Sequence, residues 1–285
     1  MGWDGRIVDG TRDDLPFAAD MELNWELTTR WLEAFLRDEV QRRRGFSRVV
    51  VGLSGGVDSS VATALLVESG FSVTGMMLRL WSEPGCENSN RCCTPDSVVD
   101  ARRVAQKLGI PFYVIDARKE FFEIVVGNFI RGYHQGITTN PCLTCNRQIR
   151  WGLLLENAIN MGAEALASGH YARLVKNPAG CIELHRGADL DKDQSYVLSM
   201  LDQDQLTRTI LPLGELSKPE VRALAKKFGL ATAEREDSQD LCFLADEDYR
   251  SFLARHVPTA IVPGKIIDQT GKLLGQHTGL AHYTI

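Results

Sequence analysis

Two hydrophobic periods alternate along the chain. Val49-Val50-Val51-Gly52-Leu53 is a continuous apolar run of strand length, and Val61-Ala62-Thr63-Ala64-Leu65-Leu66 is apolar on every side. Together they predict a buried strand feeding a buried helix. Phe71–Leu80 repeats the strand composition after Gly70, a predicted helix C-cap. Thr94-Pro95 supplies an N-cap and a first-turn proline for a helix carried by Val98, Ala101, Val104, Ala105 and Leu108 and ended by Gly109. Phe112–Ile115 predicts a third strand, Phe121–Ile130 and Ile149–Met161 two further helices, and Glu164–Ala167 a short strand opening onto Ser168-Gly169-His170-Tyr171. Strands alternating with helices imply an α/β domain, residues 46–195, with a doubly wound, mostly parallel sheet. Ligands of such sheets gather at the carboxyl ends of the strands, where Gly52–Ser59, Leu78–Trp81 and Ser168–Tyr171 would lie.

The flanks differ. Residues 1–45 read as an extension holding one helix, with Leu27, Trp31, Leu32 and Leu36 at helical spacing and a basic end at Arg42-Arg43-Arg44. From Tyr196 a small helical region runs to residue 257; Ser217-Lys218-Pro219-Glu220 is a capping box, Val221, Leu224, Ala225 and Phe228 an apolar stripe, and Gly229 a stop. Residues 258–285 turn β-like, with 264–268 and 272–275 flanking Gln269-Thr270-Gly271 as a hairpin.

At 285 residues and a formal net charge of −5, the chain has room for a full core and lacks the general basic coat of a nucleic-acid scaffold, although a local basic patch stays compatible with RNA. No apolar run approaches a membrane span, and the acids among residues 4–26 argue against a transit or secretory peptide, so a cytoplasmic protein is expected. The cysteine count of seven is odd, and a chain this long needs no staples. Reactive or metal-binding thiols are therefore expected rather than a disulfide framework, with Cys181 serving as plain packing.

Gly52-Leu53-Ser54-Gly55-Gly56-Val57-Asp58-Ser59 carries the first chemistry. Gly55 and Gly56 let backbone N–H groups approach an anion, and Ser54, Ser59 and Ser60 add hydroxyl donors beside the positive end of a helix. A Walker loop would place a lysine after its last glycine, where this chain has Val57-Asp58-Ser59. Asp58 and Ser54, on a solvent-facing loop, are expected to be replaceable without loss of the fold. The Ser-Gly-Gly-Val-Asp-Ser sequence resembles the pyrophosphate loop of the ATP pyrophosphatase superfamily, which cuts ATP between its α and β phosphates.

Asn140-Pro141-Cys142-Leu143-Thr144-Cys145-Asn146 carries the second. Asn140-Pro141 favours an extended turn, which sets Cys145 at the start of the next helix, where the dipole, Arg147 and Arg150 favour a nucleophilic thiolate. With Gly169-His170-Tyr171, Lys192-Asp193-Gln194-Ser195-Tyr196 and Asp237-Ser238 followed by Cys242-Phe243, the motif order resembles that of tRNA-specific 2-thiouridylases from about Arg48 onward.

That resemblance implies an adenine nucleotide alpha hydrolase-like fold and a sulfurtransferase. Such an enzyme adenylates the 2-carbonyl of the wobble uridine with ATP, then delivers sulfur from a cysteine persulfide; Mg²⁺ is expected because diphosphate departure needs charge neutralisation and the loop has no lysine of its own. It implies that Gly52–Ser59, Leu78 and Gly169 contact ATP, that Cys242 carries the persulfide, and that Cys145 assists as nucleophile and redox disulfide partner. The anticodon arm of tRNA would meet Asn140, Pro141, Cys142, His170, Lys192, Asp193 and Gln194. Read as residues alone, Lys192-Asp193-Gln194 is also an ordinary solvated turn, and His170 either packs on RNA or closes the strand-end pocket. A persulfide donor, such as a cysteine desulfurase or a relay protein, is the implied partner, and no membrane is involved. The tail Tyr283-Thr284-Ile285 stops inside what resembles the start of the family's C-terminal β-barrel.

One position departs from the family pattern, which usually has aspartate where this chain has Cys142. Cys142, Cys145 and Cys242 would supply three corners of a [4Fe–4S] cluster if they converged. Alternatively Cys142 merely replaces the aspartate and the other two cycle through a disulfide; zinc is a third option. Two other functions share parts of the pattern: a ligase of the same superfamily adenylating a small metabolite, and a non-catalytic tRNA-binding module.

Overall fold

The computed structural model describes residues 25–38, 45–83, 94–235, 241–244 and 248–283. Cys86, Cys92, Cys93, the 42–44 arginine run and the Asp237-Ser238 motif lie outside the described residues.

Strands β1 (Arg48–Gly52), β2 (Ser72–Arg79), β3 (Phe112–Asp116) and β4 (Ala165–Ala167) follow the predicted alternation. Two hairpins and one short strand add β5 (Ala172–Lys176), β6 (Ile182–Arg186), β7 (Thr209–Ile210), β8 (Gly264–Ile267) and β9 (Leu273–His277). The main sheet has the order β3-β2-β1-β4-β7 and is parallel throughout, with Val49 opposite both Val73 of β2 and Ala165 of β4. The chain winds outward from β1 to β3 and then crosses to the other side of β1. The switch point therefore lies between β1 and β4, the place where such sheets open a ligand crevice.

Alternate residues of β1 feed opposite cores, as the period of a strand requires. Val49 and Val51 pack with Val61, Leu65, Ala101 and Val104 of the helices on one face, while Val50 packs with Trp151, Leu154 and Ala158 on the other. Val221, Leu224 and Ala225 of the helix Lys218–Lys227 belong to the first of these cores. That helix is thus packed into the sheet domain and does not stand apart from it. A third cluster beyond the carboxyl ends of the strands holds Leu80, Phe121, Phe129, Cys145, Phe243 and Phe252.

Two helices start earlier than the apolar spacing predicts. Residues 118–134 and 141–160 are continuous helices, widened to π-type turns at Phe122–Val126 and Cys145–Leu154. Asn140 is not part of a free-standing turn: its side chain caps the second helix by accepting from Cys142 N–H at 3.0 Å, and Pro141 takes the first helical position. Cys145 consequently lies a full turn inside the helix rather than at its start. Cys181, expected in packing, is exposed in the β5–β6 turn, where its N–H donates to Asn177 Oδ1. The hairpin β8–β9 is a two-stranded sheet with Ile267, Leu273 and Leu274 exposed. No helix among the described residues is long and apolar enough to cross a membrane.

Candidate active site

At the switch point the chain leaves β1 into the glycine-rich loop. Gly55 has φ +77°, a left-handed backbone, and a Cβ there would come within 2.5 Å of the Ser97 carbonyl oxygen. Ser54 and Ser59 hydroxyls lie 3.1 Å apart, and Ser60 Oγ donates to the Gly56 carbonyl at 2.7 Å. The helix Val57–Glu68 begins at Gly56 with no side-chain cap. Its first N–H groups are thereby left for an anion rather than for the protein's own oxygens. From the other side of the crevice Gly169 touches this helix start; a Cβ on it would sit 2.7 Å from Asp58 C and Ser59 N.

One open cleft of about 540 Å³ collects most of the expected site residues. Gly52, Leu53, Ser54, Gly56, Val57, Asp58, Ser59, Leu78 and Gly169 line it, and so do Cys145, His170, Lys192 and Gln194. Lys192 and Gln194 therefore face the same space as the phosphate loop instead of an outer surface. Gly55, Asn140, Pro141, Cys142, Asp193 and Cys242 are not part of this wall. The Asp193 carboxylate accepts from Gly187 N–H at 2.9 Å and from the Ser195 hydroxyl at 2.8 Å. Burial opposes its ionisation, yet these donors hold its pKa below the ordinary carboxylate value. His170 is buried, with Nδ1 2.7 Å from Ser168 Oγ and its ring 5.6 Å from that of Trp151. Burial first, and the charge of Arg150 second, push its pKa down to about 3, so the cleft sees a neutral imidazole at physiological pH.

Three residues that sequence reasoning did not assign complete the loop. Lys218 Nζ donates to both carboxylate oxygens of Asp58, at 2.7 and 2.9 Å, and Tyr171 O–H donates to Oδ1 at 2.7 Å. Arg235, which also lines the cleft, donates to the Gly55 carbonyl at 3.0 Å. Asp58 is thus a tied group, half-buried at the cleft wall rather than free on a loop. The available signal was an acid at the head of an otherwise apolar helix, which calls for a cation somewhere in the fold.

Cys145 is buried, and Cys242 packs half-buried against the same aromatic cluster, whereas Cys142 is exposed. The convergence of the three thiols that a cluster would need is not found: among the described residues no three His, Cys, Asp or Glu side chains gather as metal ligands. Cys142 is exposed and Cys145 buried, so the two thiols of the Cys-x-x-Cys pair sit in different surroundings. A [4Fe–4S] cluster does not fit this arrangement. Asp58 is the one carboxylate among the described cleft-lining residues, and a Mg²⁺ ion, which typically takes one or two protein carboxylates and completes its shell with phosphate and water, would have to share it with the Lys218 ammonium.

A parallel sheet of this order, an uncapped helix behind a glycine-rich loop at its switch point, and a cleft lined by both define a nucleotide-binding α/β domain. Residues 47–246 match the family model described as tRNA methyl transferase HUP domain. Over 241 residues the chain is 48% identical to the tRNA-specific 2-thiouridylase MnmA of Chloroflexus aurantiacus, a match spanning 84% of this chain and 67% of the relative. It is 44% identical over 241 residues to the tRNA-specific 2-thiouridylase MnmA of Lachnoclostridium phytofermentans, with 84% and 68% covered. The chain belongs to the tRNA-specific 2-thiouridylase family. A solved structure titled U34-tRNA thiolase NcsA from Methanococcus maripaludis with its [4Fe-4S] cluster has a TM-score of 0.51 at 20% identity, covering 81% of this chain and 72% of that one. This second likeness concerns the fold.

Proposed function

We infer that this chain is a tRNA-uridine 2-sulfurtransferase, which converts the wobble uridine to 2-thiouridine and splits ATP into AMP and diphosphate. The observation that carries the reading is the meeting of the phosphate loop and the Cys145 thiol in one cleft. A superfamily ligase working on a small metabolite needs the first and not the second.

The chemistry follows from what each group supplies. A pyrimidine 2-carbonyl oxygen is a poor leaving group, and attack of that oxygen on the α-phosphorus expels diphosphate and turns it into a good one, AMP. The loop N–H groups hold the phosphates, and Arg150, Lys192 and Arg235 line the same cleft with positive charge. Asp58 would be the residue to hold a Mg²⁺ ion, which when bound would supply charge neutralisation for the departing diphosphate. The terminal sulfur of a persulfide on Cys242 then attacks the ring carbon, and AMP leaves. Cys145 thiolate attacks the inner sulfur of Cys242, which releases the thiocarbonyl and forms a Cys145–Cys242 disulfide that a reductant reopens. Membership of both thiols in one apolar cluster supports this pairing. Asn140, Pro141, Cys142, His170, Lys192, Asp193 and Gln194 remain the proposed contacts for the anticodon arm, with His170 acting as a neutral ring. A persulfide donor such as a cysteine desulfurase or relay protein, a cytoplasmic setting, and a β-barrel begun by β8–β9 belong to the same reading.

The test is direct. Purified protein is incubated with unmodified tRNA, ATP, Mg²⁺ and a persulfide source, and the digested tRNA is searched for thiolated uridine by mass spectrometry. Its absence, in the presence of an active relative as control, refutes the reading.

A further inference from the structure

The phosphate loop is held by a residue far along the chain. Arg235 Nη1 donates to the Gly55 carbonyl oxygen at 3.0 Å, across a separation of 180 residues. The same guanidinium donates to Asp100 Oδ2 at 2.9 Å and, through Nη2, to Ser97 Oγ at 2.8 Å. Ser97 and Asp100 stand in the first two turns of the helix Pro95–Leu108. One planar fork thus joins the loop, that helix and the segment following Leu230. Its rigidity suits such a junction better than a lysine would.

The bond to Gly55 has a geometric consequence. A peptide unit is planar, with its C=O and N–H pointing in opposite directions. Holding the Gly55 carbonyl therefore fixes the direction of the Gly56 N–H on the far side of the same plane. That N–H makes a bond of 3.4 Å to Ser54 Oγ, near the useful limit of length. It is therefore only weakly engaged, and it heads a helix that has no side-chain cap. Gly55 needs such a fastening, because at φ +77° a glycine has many alternatives.

We propose that Arg235 is the positioning residue of the phosphate loop: it locks the Gly55–Gly56 peptide so that the Gly56 N–H faces the diphosphate portion of a bound nucleoside triphosphate. This rests on the reading of the loop as the ATP site. The role is selective. It concerns the two outer phosphates and leaves the adenosine and α-phosphate contacts alone.

Calorimetry on the full chain without tRNA tests it, with ATP, inorganic pyrophosphate and AMP as separate ligands. In Arg235→Gln, ATP and pyrophosphate should bind about ten-fold more weakly, the worth of one charge-assisted hydrogen bond, while AMP stays within about two-fold. Arg235→Lys should recover little of the loss, because it restores the charge without the fork. Asp100→Asn, which leaves Arg235 in place but slackens its anchor, should give the same pattern at about three-fold and decides the matter if Arg235→Gln does not fold. AMP affinity falling in step with ATP makes Arg235 a general structural tie and overturns the proposal, as does unchanged affinity for ATP and pyrophosphate. Wild-type protein that binds neither ATP nor pyrophosphate removes instead the reading on which the proposal stands.

Discussion

Replacing Asp58 with asparagine strands a lysine. Lys218 has a side chain only 10% exposed and gives its ammonium to both Asp58 oxygens, whereas the Asp58 side chain is 31% exposed at the cleft wall. The two halves of the pair are therefore unequal. Removing one partner of a fully buried pair costs about 3–5 kcal/mol. Discounting for the water that reaches Asp58, Asp58→Asn should cost about 2–3 kcal/mol, because the survivor is the drier group. Lys218→Met should cost about 1 kcal/mol, because the surviving carboxylate keeps the Tyr171 hydroxyl and cleft water. Equilibrium urea unfolding of both single variants and the double variant measures this. The double variant should lie close to Lys218→Met alone, revealing coupling between the sites. An Asp58→Asn loss below about 0.5 kcal/mol, or two losses that simply add, would refute the argument. The same geometry turns the expectation that an Asp58 substitution leaves the fold untouched into the opposite prediction, which the unfolding series decides.

Further outcomes follow from the neighbouring residues. His170 has its pKa lowered from 6.5 to about 3 by burial, so the unfolded chain binds the extra proton first; its contribution to stability should be complete above about pH 6.5 and fade as the pH falls toward 3. His170→Gln should flatten that part of the urea-unfolding profile, and an unaltered slope would exclude the residue as its source. Gly55→Ala should weaken both the fold, by about 2 kcal/mol or more, and ATP binding, since the new Cβ meets the Ser97 carbonyl in a left-handed backbone. A melting temperature equal to wild type would contradict this. Cys242→Ser should still exchange labelled pyrophosphate into ATP with tRNA present but yield no thiolated uridine, because activation and sulfur delivery are separate steps. Thiolated product from that variant would move the persulfide to another residue.

The strands and the phosphate loop were legible because β-branched runs, glycines and proline N-caps act locally. β1 to β4 and the helix Pro95–Leu108 stand within a residue or two of their predicted limits. The helix 141–160 was misread because its first turn holds Asn140-Pro141-Cys142, residues whose turn and cap tendencies look alike in sequence. The hairpin β5–β6 escaped notice because each strand is only five residues long and its apolar positions are interleaved with Arg173, Lys176, Glu183, His185 and Arg186. Lys218 and Arg235 could not be assigned from spacing at all. Each acts on a residue 160 or 180 positions away, and only the winding of the sheet brings them there. The three thiols illustrate the converse, since a suggestive spacing does not by itself bring side chains to one metal: Cys142 is exposed, Cys145 buried, and no ligand group gathers among the described residues.

The ties from Lys218 and Arg235 also bear on how such a protein can be recombined. A chimera joined after residue 195 would take Gly55, Asp58, Ser97 and Asp100 from one parent and Lys218 and Arg235 from the other. The glycine-rich motif would look complete in such a hybrid, but its two fastenings would depend on a match between strangers. Inheritance of the nucleotide site is thus a matter of pairs spread across both halves of the chain, and the smallest transferable unit reaches at least to Arg235.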